Sequence, residues 1–203
     1  QDSLMGRELT NRSEFGYKEE DILLAIVSNR LDWEIGLDEI EFINKTLQTD
    51  PRIKFLLVGR CEDKLVTKIG QMFGPRAECL GPIAEIKTFL SMIDFLINTK
   101  RLGGGGAAAT AIGHGTPVFS INYGDVTSLL PSEYLADNYA ELLELITCHL
   151  ELDKPTRQQI AYSIFNQFPK FKDNVKSLIK ALEWKHSKDR INAVNQRSQS
   201  LVN

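Results

Sequence analysis

Long apolar segments and closely spaced metal or disulfide ligands are both missing from this 203-residue sequence. No apolar run approaches the roughly 20 residues that a membrane-spanning helix needs. The three cysteines, Cys61, Cys79 and Cys148, are odd in number and lack the close pairs of a zinc site or a redox dithiol. The N-terminus lacks a basic patch followed by an apolar core, so it does not resemble a secretory signal. We therefore expect reduced thiols and a cytoplasmic location.

An excess of positive charge is also missing, since the formal net charge is -3. A domain that binds nucleic acid needs a basic surface, so nucleic acid is not an expected partner. Hydrophobic residues make up 42% of the chain and charged residues 25%, as expected for a soluble domain with a buried core. No starting methionine is present, and we expect a piece of a longer protein.

What the sequence does contain is a regular alternation of short apolar runs with segments of helical spacing. The first run, DILLAIVS, is nearly continuous, as in a strand that is buried on both faces of a sheet. Strands that alternate with helices, without hairpin signals, predict right-handed crossovers and a parallel, Rossmann-like α/β sheet flanked by helices. The predicted strands are 21–28, 53–58, 77–80, 94–97 and 117–121, and the predicted helices are 37–47, 61–73, 83–92 and 106–113.

The two ends of the chain differ from this central pattern. The first residues are polar and without periodicity, whereas from Ser132 onward the pattern is wholly helical. Part of the helical end is expected to pack on the sheet, with apolar surface near Trp184 left for a partner; a single compact core is the alternative. The predicted boundaries are 1–20 for a linker or N-terminal extension, 21–168 for the Rossmann-like domain and 169–203 for a C-terminal helix and polar tail. The C-terminal helices are predicted at 138–150, 154–168 and 171–184.

Four consecutive glycines, at positions 103 to 106, are the most informative feature of the sequence. Glycine costs conformational entropy, so a stable fold keeps four in a row only where the backbone must approach something closely. The small residues that follow favour a helix, whose bare N-terminus presents unpaired N–H groups and a partial positive charge. A turn that uses glycine for packing alone is the alternative. Because Lys100 and Arg101 precede the glycines at the end of a predicted strand, we favour a phosphate or diphosphate site.

Two other phosphate-binding motifs fit this loop less well. Gly104, Gly106 and Ala109 satisfy the G-x-G-x-x-A form of the dinucleotide fingerprint, and Asp125 lies 21 residues beyond Gly104. However, residues 99–102 separate the glycines from the strand, whereas the dinucleotide turn follows its strand directly. No G-x-x-x-x-G-K-[ST] sequence is present, which disfavours a P-loop nucleotidase.

The order of motifs around the glycines resembles the C-terminal domain of GT-B fold glycosyltransferases. Lys100-Arg101 and the glycines are followed by a small-residue helix, by Gly115-x-Pro117-Val118 and by Gly124-Asp125-Val126. Upstream, the segments IVSNRLDWEIG, FLLVGR and ECLGPIAEIKTFLSMIDFLIN resemble the first four strands of that domain with their loops. The resemblance covers residues 21–168. It implies that this chain binds a nucleotide-sugar, while a separate N-terminal domain that is not in this chain binds the acceptor.

The resemblance also implies which residues bind the donor. Backbone and cationic groups would face the donor diphosphate, Thr110 would lie at the ribose, and the loop after the third strand would border the base. Any general base would come from the other domain, so no catalytic residue is assigned. The implied diphosphate-binding residues are Arg30, Lys100, Arg101, Gly103, Gly104, Gly105, Gly106 and Ala107, and the implied base-binding residues are Leu80, Gly81 and Pro82.

Three positions depart from the pattern of this family. Ile35 and Gly36 stand where the family has a lysine that faces the diphosphate, and the alternatives for that charge are Arg60, Lys64, Lys100 and Arg101. Leu102 and Thr110 stand where the family has two glutamates. A neutral threonine hydroxyl forms weaker hydrogen bonds with a ribose than an ionised carboxylate does. For Arg30, a surface ion pair with Asp32 or Glu34 is the alternative to phosphate binding, and for residues 80–82 the alternative is an ordinary turn.

The function predicted from the sequence is transfer of a sugar from a nucleotide-sugar, with a uridine diphosphate sugar as the expected donor. The glycine loop and nearby cations would stabilise the charge that grows on the leaving diphosphate. No metal or other cofactor is expected, because no Asp-x-Asp pair is present. The isolated chain should bind the donor without transferring the sugar, and peripheral association with a membrane is left open. The alternatives are a non-catalytic binding or interaction domain that keeps the fold and, more weakly, an NAD-type oxidoreductase domain.

Overall fold

The computed structural model describes residues 12–167, which fold around one six-stranded sheet. No helix in that range is long and apolar enough to cross a membrane. The strands are β1 (Ile22–Val27), β2 (Ile53–Val58), β3 (Ala77–Gly81), β4 (Phe95–Asn98), β5 (Val118–Ile121) and β6 (Leu135–Ala136). The α-helices are α1 (Leu31–Glu34), α2 (Leu37–Thr49), α3 (Asp63–Phe73), α4 (Ile86–Met92), α5 (Gly105–Gly113), α6 (Tyr139–Leu150) and α7 (Lys154–Asn166). Short 3-10 helices span Arg12–Phe15, Gly74–Arg76, Asp125–Ser128 and Ser132–Tyr134.

All neighbouring strands of the sheet run parallel, in the order β3-β2-β1-β4-β5-β6. The chain moves outward from β1 to β3 and then returns to the other side of β1 with β4. This reversal is a topological switch point, where the loops after β1 and β4 diverge and leave a crevice at the carboxyl edge of the sheet. The prediction of a parallel Rossmann-like sheet with at least five strands is confirmed.

Apolar side chains of the strands fill the space between the sheet and its helices. The residues of β1 are buried except for the half-buried Val27, which explains why this strand shows no alternation of polar and apolar residues. The Phe42 ring of α2 packs edge-on against the Phe55 ring of β2, with 6.1 Å between the ring centres. Phe95 of β4 and Phe119 of β5 pack in the same core, with ring centres 5.5 Å apart. This packing fixes the strands whose carboxyl ends carry the candidate site.

The sequence does not predict β6. Its pattern predicts only helices from Ser132 onward, but Ser132–Tyr134 form a 3-10 helix and Leu135–Ala136 a strand beside β5. Two residues are too few to show a period of either strand or helix, so the prediction of a wholly helical end was wrong here. The next two helices, α6 and α7, follow as predicted. The helix expected at 171–184 and its Trp184 lie outside the described residues.

Residues 12–20, which the sequence predicts as part of a linker or N-terminal extension, include a segment that is anchored to the sheet domain. Arg12 is buried, donates from Nη2 to Asp94 Oδ2 at 2.7 Å and from Nε to the Met92 carbonyl at 2.8 Å. Arg157 of α7 lies 3.3 Å from the other carboxylate oxygen of Asp94. Because Asp94 directly precedes β4, this cluster lies at the amino edge of the sheet. An ion pair between residues so distant in sequence leaves no local pattern from which to predict it.

Candidate functional site

An open groove of about 600 Å³ lies at the switch point between β1 and β4, at the carboxyl edge of the sheet. The chain after β1, from Arg30 to Glu39, lines one side. Lys100 to Leu102, after β4, line the other side, and Tyr123 after β5 completes the groove. Ligands of open parallel sheets bind in this position because the flanking loops diverge there.

The glycines of the loop have different surroundings. Gly104 has a φ of +123°, and a Cβ at this position would lie 2.2 Å from Asn98 Oδ1, so any other residue would be strained and would have to displace the Asn98 side chain. In contrast, nothing lies within 4 Å of the Cβ position at Gly103 or at Gly106. Packing against Asn98 therefore explains why position 104 is a glycine. In contrast, Gly103 and Gly106 leave space open beside the beginning of α5.

The first turn of α5 presents N–H groups that have no partner inside the helix. They belong to Gly105, Gly106 and Ala107, the first three residues of α5. Gly105 donates its N–H to Asp125 Oδ1 at 3.1 Å. A side-chain carboxylate thus lies at the helix end where the sequence predicts a diphosphate, while two further N–H groups remain in the first turn.

Arg101 lines the groove, but its guanidinium is already engaged in contacts with the protein. The side chain is 5% exposed, and Nε donates to Asn98 Oδ1 at 2.6 Å. Nη1 lies 2.9 Å from Glu34 Oε2, so Arg101 joins the loop after β4 to α1 across the switch point. This geometry fits a structural ion pair, and a role for Arg101 in diphosphate binding stays a prediction.

Arg30 and Lys100 present more exposed cations to the groove. The Arg30 side chain is 73% exposed, and its Nε lies 3.9 Å from Glu34 Oε1, one of the two ion pairs considered from the sequence. Lys100 is exposed, and its backbone N–H donates to the Tyr139 hydroxyl at 3.2 Å. That hydroxyl donates to Glu39, and burial raises the pKa of Tyr139, so the phenol stays neutral. Because the side chains of Arg30 and Lys100 are exposed, both cations can approach a negatively charged ligand.

The three positions that depart from the glycosyltransferase pattern are neutral in different ways. Ile35 is buried in the core, so no charge projects from it into the groove. Leu102 is exposed and lines the groove. The Thr110 hydroxyl donates to the Gly106 carbonyl at 2.8 Å, which leaves its oxygen able to accept another hydrogen bond. An implied ribose contact at Thr110 would thus rely on a neutral acceptor.

The residues implied to border a base lie at the carboxyl end of β3: Leu80 and Gly81 are its last two residues, and Pro82 follows it. Gly81 has a φ of +72°, and its carbonyl accepts the Gly59 N–H at 2.9 Å. Leu80 is half-buried and Pro82 is exposed. The structure does not bring these residues into the lining of the groove, because β2 and β1 separate β3 from β4.

Two aromatic side chains at the groove were not predicted from the sequence. Trp33 of α1 is 89% exposed and Tyr123 is 43% exposed, and both line the groove. The available signal was that Trp33 stands between Asp32 and Glu34 just after a predicted strand, a context that does not suit a core residue. Exposed rings in a groove provide a surface for stacking against a flat or apolar part of a ligand.

A dinucleotide fits the observed geometry poorly. β4 ends at Asn98 and α5 begins at Gly105, so six residues separate the strand from the helix. In dinucleotide-binding folds the glycine turn follows the first strand directly, whereas these glycines follow the fourth. As for metals, the part of the chain that the structure describes contains no group of three or more His, Cys, Asp or Glu arranged to hold an ion.

Comparisons with known proteins give matches only among solved structures, since no family model and no curated protein matches the chain. WaaG, a glycosyltransferase involved in lipopolysaccharide biosynthesis, is 15% identical over 76% of this chain and 44% of its own, with a TM-score of 0.62. HepE of Anabaena, in complex with UDP-glucose, is 20% identical over 80% of this chain and 51% of its own, with a TM-score of 0.58. The pneumococcal O-GlcNAc transferase GtfA, in complex with UDP and GlcNAc, is 18% identical over 84% of this chain and 38% of its own, with a TM-score of 0.56.

At 15% to 20% sequence identity, these similarities show which fold the chain has. The chain has the fold of a domain that occurs in glycosyltransferases, which confirms at this level the resemblance read from the sequence. It spans 38% to 51% of HepE and GtfA, and 44% of WaaG, so it corresponds to about half or less of each of these proteins.

Proposed function

We propose that this chain is the nucleotide-sugar-binding half of a glycosyltransferase, which transfers a sugar from a UDP-sugar to an acceptor held by a domain outside this chain. The observation that carries the proposal is the open beginning of α5, where Gly103 and Gly106 leave free space. This loop directly follows Lys100, Arg101 and Leu102, which line the groove, although the glycines themselves are not part of its lining. The fold shared with glycosyltransferases supports the class of reaction, and the UDP compounds bound to HepE and GtfA support the class of donor.

The proposed role of the chain is to hold the donor and to stabilise its leaving group. During transfer, the bond between the anomeric carbon and the diphosphate oxygen breaks, and negative charge grows on the diphosphate. The N–H groups of Gly106 and Ala107, together with the partial positive charge of the helix end, would stabilise that charge. Arg30 and Lys100 would add full charges from the two sides of the groove.

The proposal is tested by filling the open space beside α5. A Gly106→Val side chain would begin where nothing lies within 4 Å, so the fold should persist while a diphosphate is kept away from the N–H groups. Gly70→Val is the matched control, because Gly70 is also helical, exposed and without neighbours within 4 Å of its Cβ position. In calorimetric titrations with UDP and UDP-glucose, we expect Gly106→Val to weaken binding by at least about tenfold and Gly70→Val to leave it unchanged.

Three results would contradict the proposal. Absence of UDP binding by the unaltered chain at about millimolar concentration would remove its basis. Equal affinities for UDP in the Gly106→Val and Gly70→Val variants would show that the nucleotide binds elsewhere. Tighter binding of NADH than of UDP would favour the oxidoreductase alternative.

A second candidate function is a non-catalytic binding or interaction domain that keeps the glycosyltransferase fold. The observation that favours it is the buried Ile35, since the position of the family's lysine is filled by an apolar core residue. Leu102, exposed where the family has a glutamate, adds to it. Binding of UDP without discrimination between UDP and UDP-sugars, or no binding of either, would support this candidate.

A further inference from the structure

The thiols of Cys61 and Cys79 lie in contact, although the two residues are well separated in the sequence. Cys61 follows β2, and Cys79 lies within β3, the neighbouring strand of the sheet. Their side chains form a hydrogen bond with each other. Both thiols are free and half-buried, whereas the third cysteine, Cys148, is exposed on α6. The fold therefore assembles a thiol pair that the spacing of the cysteines in the sequence did not predict.

The turn after β2 brings Cys61 back beside β3. At this turn the Gly59 N–H donates to the Gly81 carbonyl at 2.9 Å, which ties the end of β2 to the end of β3. Gly59 has a φ of +129°, and a Cβ there would lie 1.8 Å from the Ser28 carbonyl oxygen, so close packing fixes the path of the chain. The Cys61 thiol donates to the carbonyl of the same Gly59 at 3.7 Å. The position of the Cys61 sulfur thus depends on the pairing of the two strands.

The core holds the second side of the pair in place. The side chains of Cys61 and Cys79 both pack against the apolar cluster between the sheet and its helices. Along the chain, all of α3 and the 3-10 helix Gly74–Arg76 lie between them. A bond between the two sulfur atoms would therefore close a loop that contains α3. Such a bond restricts the unfolded chain more than the folded one, in which the sulfur atoms are already neighbours.

The two thiols differ in reactivity. The hydrogen bond from Cys79 stabilises the thiolate of Cys61 and lowers the pKa of the Cys61 thiol, although burial and the charge of Asp32 oppose this effect. The same contact raises the pKa of Cys79, and burial raises it further. Because the thiolate is the form that attacks a disulfide, Cys61 is suited to react first and Cys79 to react second.

We propose that Cys61 and Cys79 form a redox-sensitive site, which a low-molecular-weight disulfide such as oxidised glutathione converts into an intramolecular disulfide. The Cys61 thiolate attacks one sulfur of the oxidant, so that a mixed disulfide forms and one glutathione thiolate leaves. The Cys79 thiol then gives up its proton and attacks Cys61 Sγ, which forms the intramolecular bond and releases the second glutathione. The two protein thiols are oxidised, and their two electrons and two protons go to the two glutathione molecules. This site does not depend on the proposed function.

The test uses the full chain with Cys148→Ser, so that the two thiols of the pair are the only ones left. Adding Cys79→Ser leaves Cys61 alone, beside a serine hydroxyl that can still donate a hydrogen bond. Adding Cys61→Ser instead leaves Cys79 alone and is the matched control. Each protein would be reduced, checked for folding by circular dichroism and incubated with oxidised glutathione. Intact mass, and alkylation of the thiols that remain, would then identify the products.

We expect the Cys148→Ser chain to lose both reactive thiols and to carry no glutathione at the end of the reaction. The Cys148→Ser/Cys79→Ser chain should stop at a mixed disulfide on Cys61. This should form at least about tenfold faster than a mixed disulfide on Cys79 in the Cys148→Ser/Cys61→Ser chain. The intramolecular bond should also raise the urea midpoint of unfolding by about 1 M, and dithiothreitol should reverse the shift.

Two results would overturn the inference. One is glutathione on both thiols without a bond between them, or no loss of thiols at all. The other is a disulfide between two chains, seen as a dimer on a non-reducing gel, because the two sulfur atoms of one chain would then not reach each other. Equal rates of mixed-disulfide formation on Cys61 and Cys79 would overturn the assignment of Cys61 as the attacking thiol.

Discussion

At the scale of the residue, neighbouring glycines of one loop have different requirements. Gly104 is held by its positive φ and by the Asn98 side chain, whereas Gly103 lies outside the positive-φ region and has no neighbour within 4 Å of its Cβ position. The sequence shows four identical residues and cannot distinguish these two cases. The two cases differ because the Asn98 side chain, at the end of β4, lies against Gly104 and not against Gly103.

We predict that Gly104→Ala lowers the free energy of unfolding by about 2 kcal/mol, because the new Cβ is both strained and crowded. Gly103→Ala should leave it unchanged or raise it by up to about 1 kcal/mol, since alanine restricts the unfolded chain. Urea denaturation followed by circular dichroism measures both. Equal stability of the two variants would show that Asn98 moves away at little cost.

At the scale of the element, Arg101 connects the loop after β4 with α1. The pair with Glu34 is almost buried, with side chains 5% and 13% exposed. Arg101→Met should lower the free energy of unfolding by about 3 kcal/mol, because the Glu34 carboxylate then loses its close partner. Arg101→Lys should not restore this stability, since an ammonium does not reproduce the guanidinium contacts with both Glu34 and Asn98.

Arg30→Met is the matched control for this prediction. Arg30 is exposed and only loosely paired, so its loss should change the free energy of unfolding by no more than about 0.5 kcal/mol. Under the proposed function, it should weaken UDP binding while the fold persists. Chemical denaturation and UDP titration of the three variants separate the two roles; a stable Arg101→Met variant with weak UDP binding would make Arg101 a ligand after all.

The elements could be predicted well wherever the local sequence shows a run of buried apolar residues or a helical period. β2 was predicted with its observed bounds, 53–58, because its apolar run is interrupted only by Lys54 and ends at Gly59. β6 was missed because two residues in a sheet owe their conformation to the neighbouring β5 and not to their own pattern. The contact between Asp125 and Gly105 was missed for a similar reason: 20 residues separate them, and only the pairing of β4 with β5 brings their loops together.

At the scale of the whole molecule, the groove and the Arg12 anchor lie at opposite edges of the sheet. The groove follows the carboxyl ends of β1 and β4, while the pair of Arg12 with Asp94 precedes β4. The chain also spans 51% or less of the glycosyltransferases compared above. The candidate site thus lies at the carboxyl edge of the sheet, away from this anchor. Under the proposed function, a domain outside this chain would supply the acceptor at that edge.

Under the proposed function, we predict that the isolated chain binds UDP-glucose but does not release UDP from it, because the acceptor would be held by a domain outside this chain. Calorimetry would measure the binding, and a coupled assay for free UDP would measure the release. Sustained release of UDP by the isolated chain would show that this chain completes a reaction without a second domain.

The exposed Trp33 has a practical consequence. An indole ring in water emits at longer wavelength than one that is covered, and this ring lies on the wall of the groove. The chain has two tryptophans, so a Trp184→Phe variant would leave Trp33 as the sole source of indole emission. The protein thus carries its own optical reporter, and a blue shift of its spectrum would signal an occupied groove without any added dye.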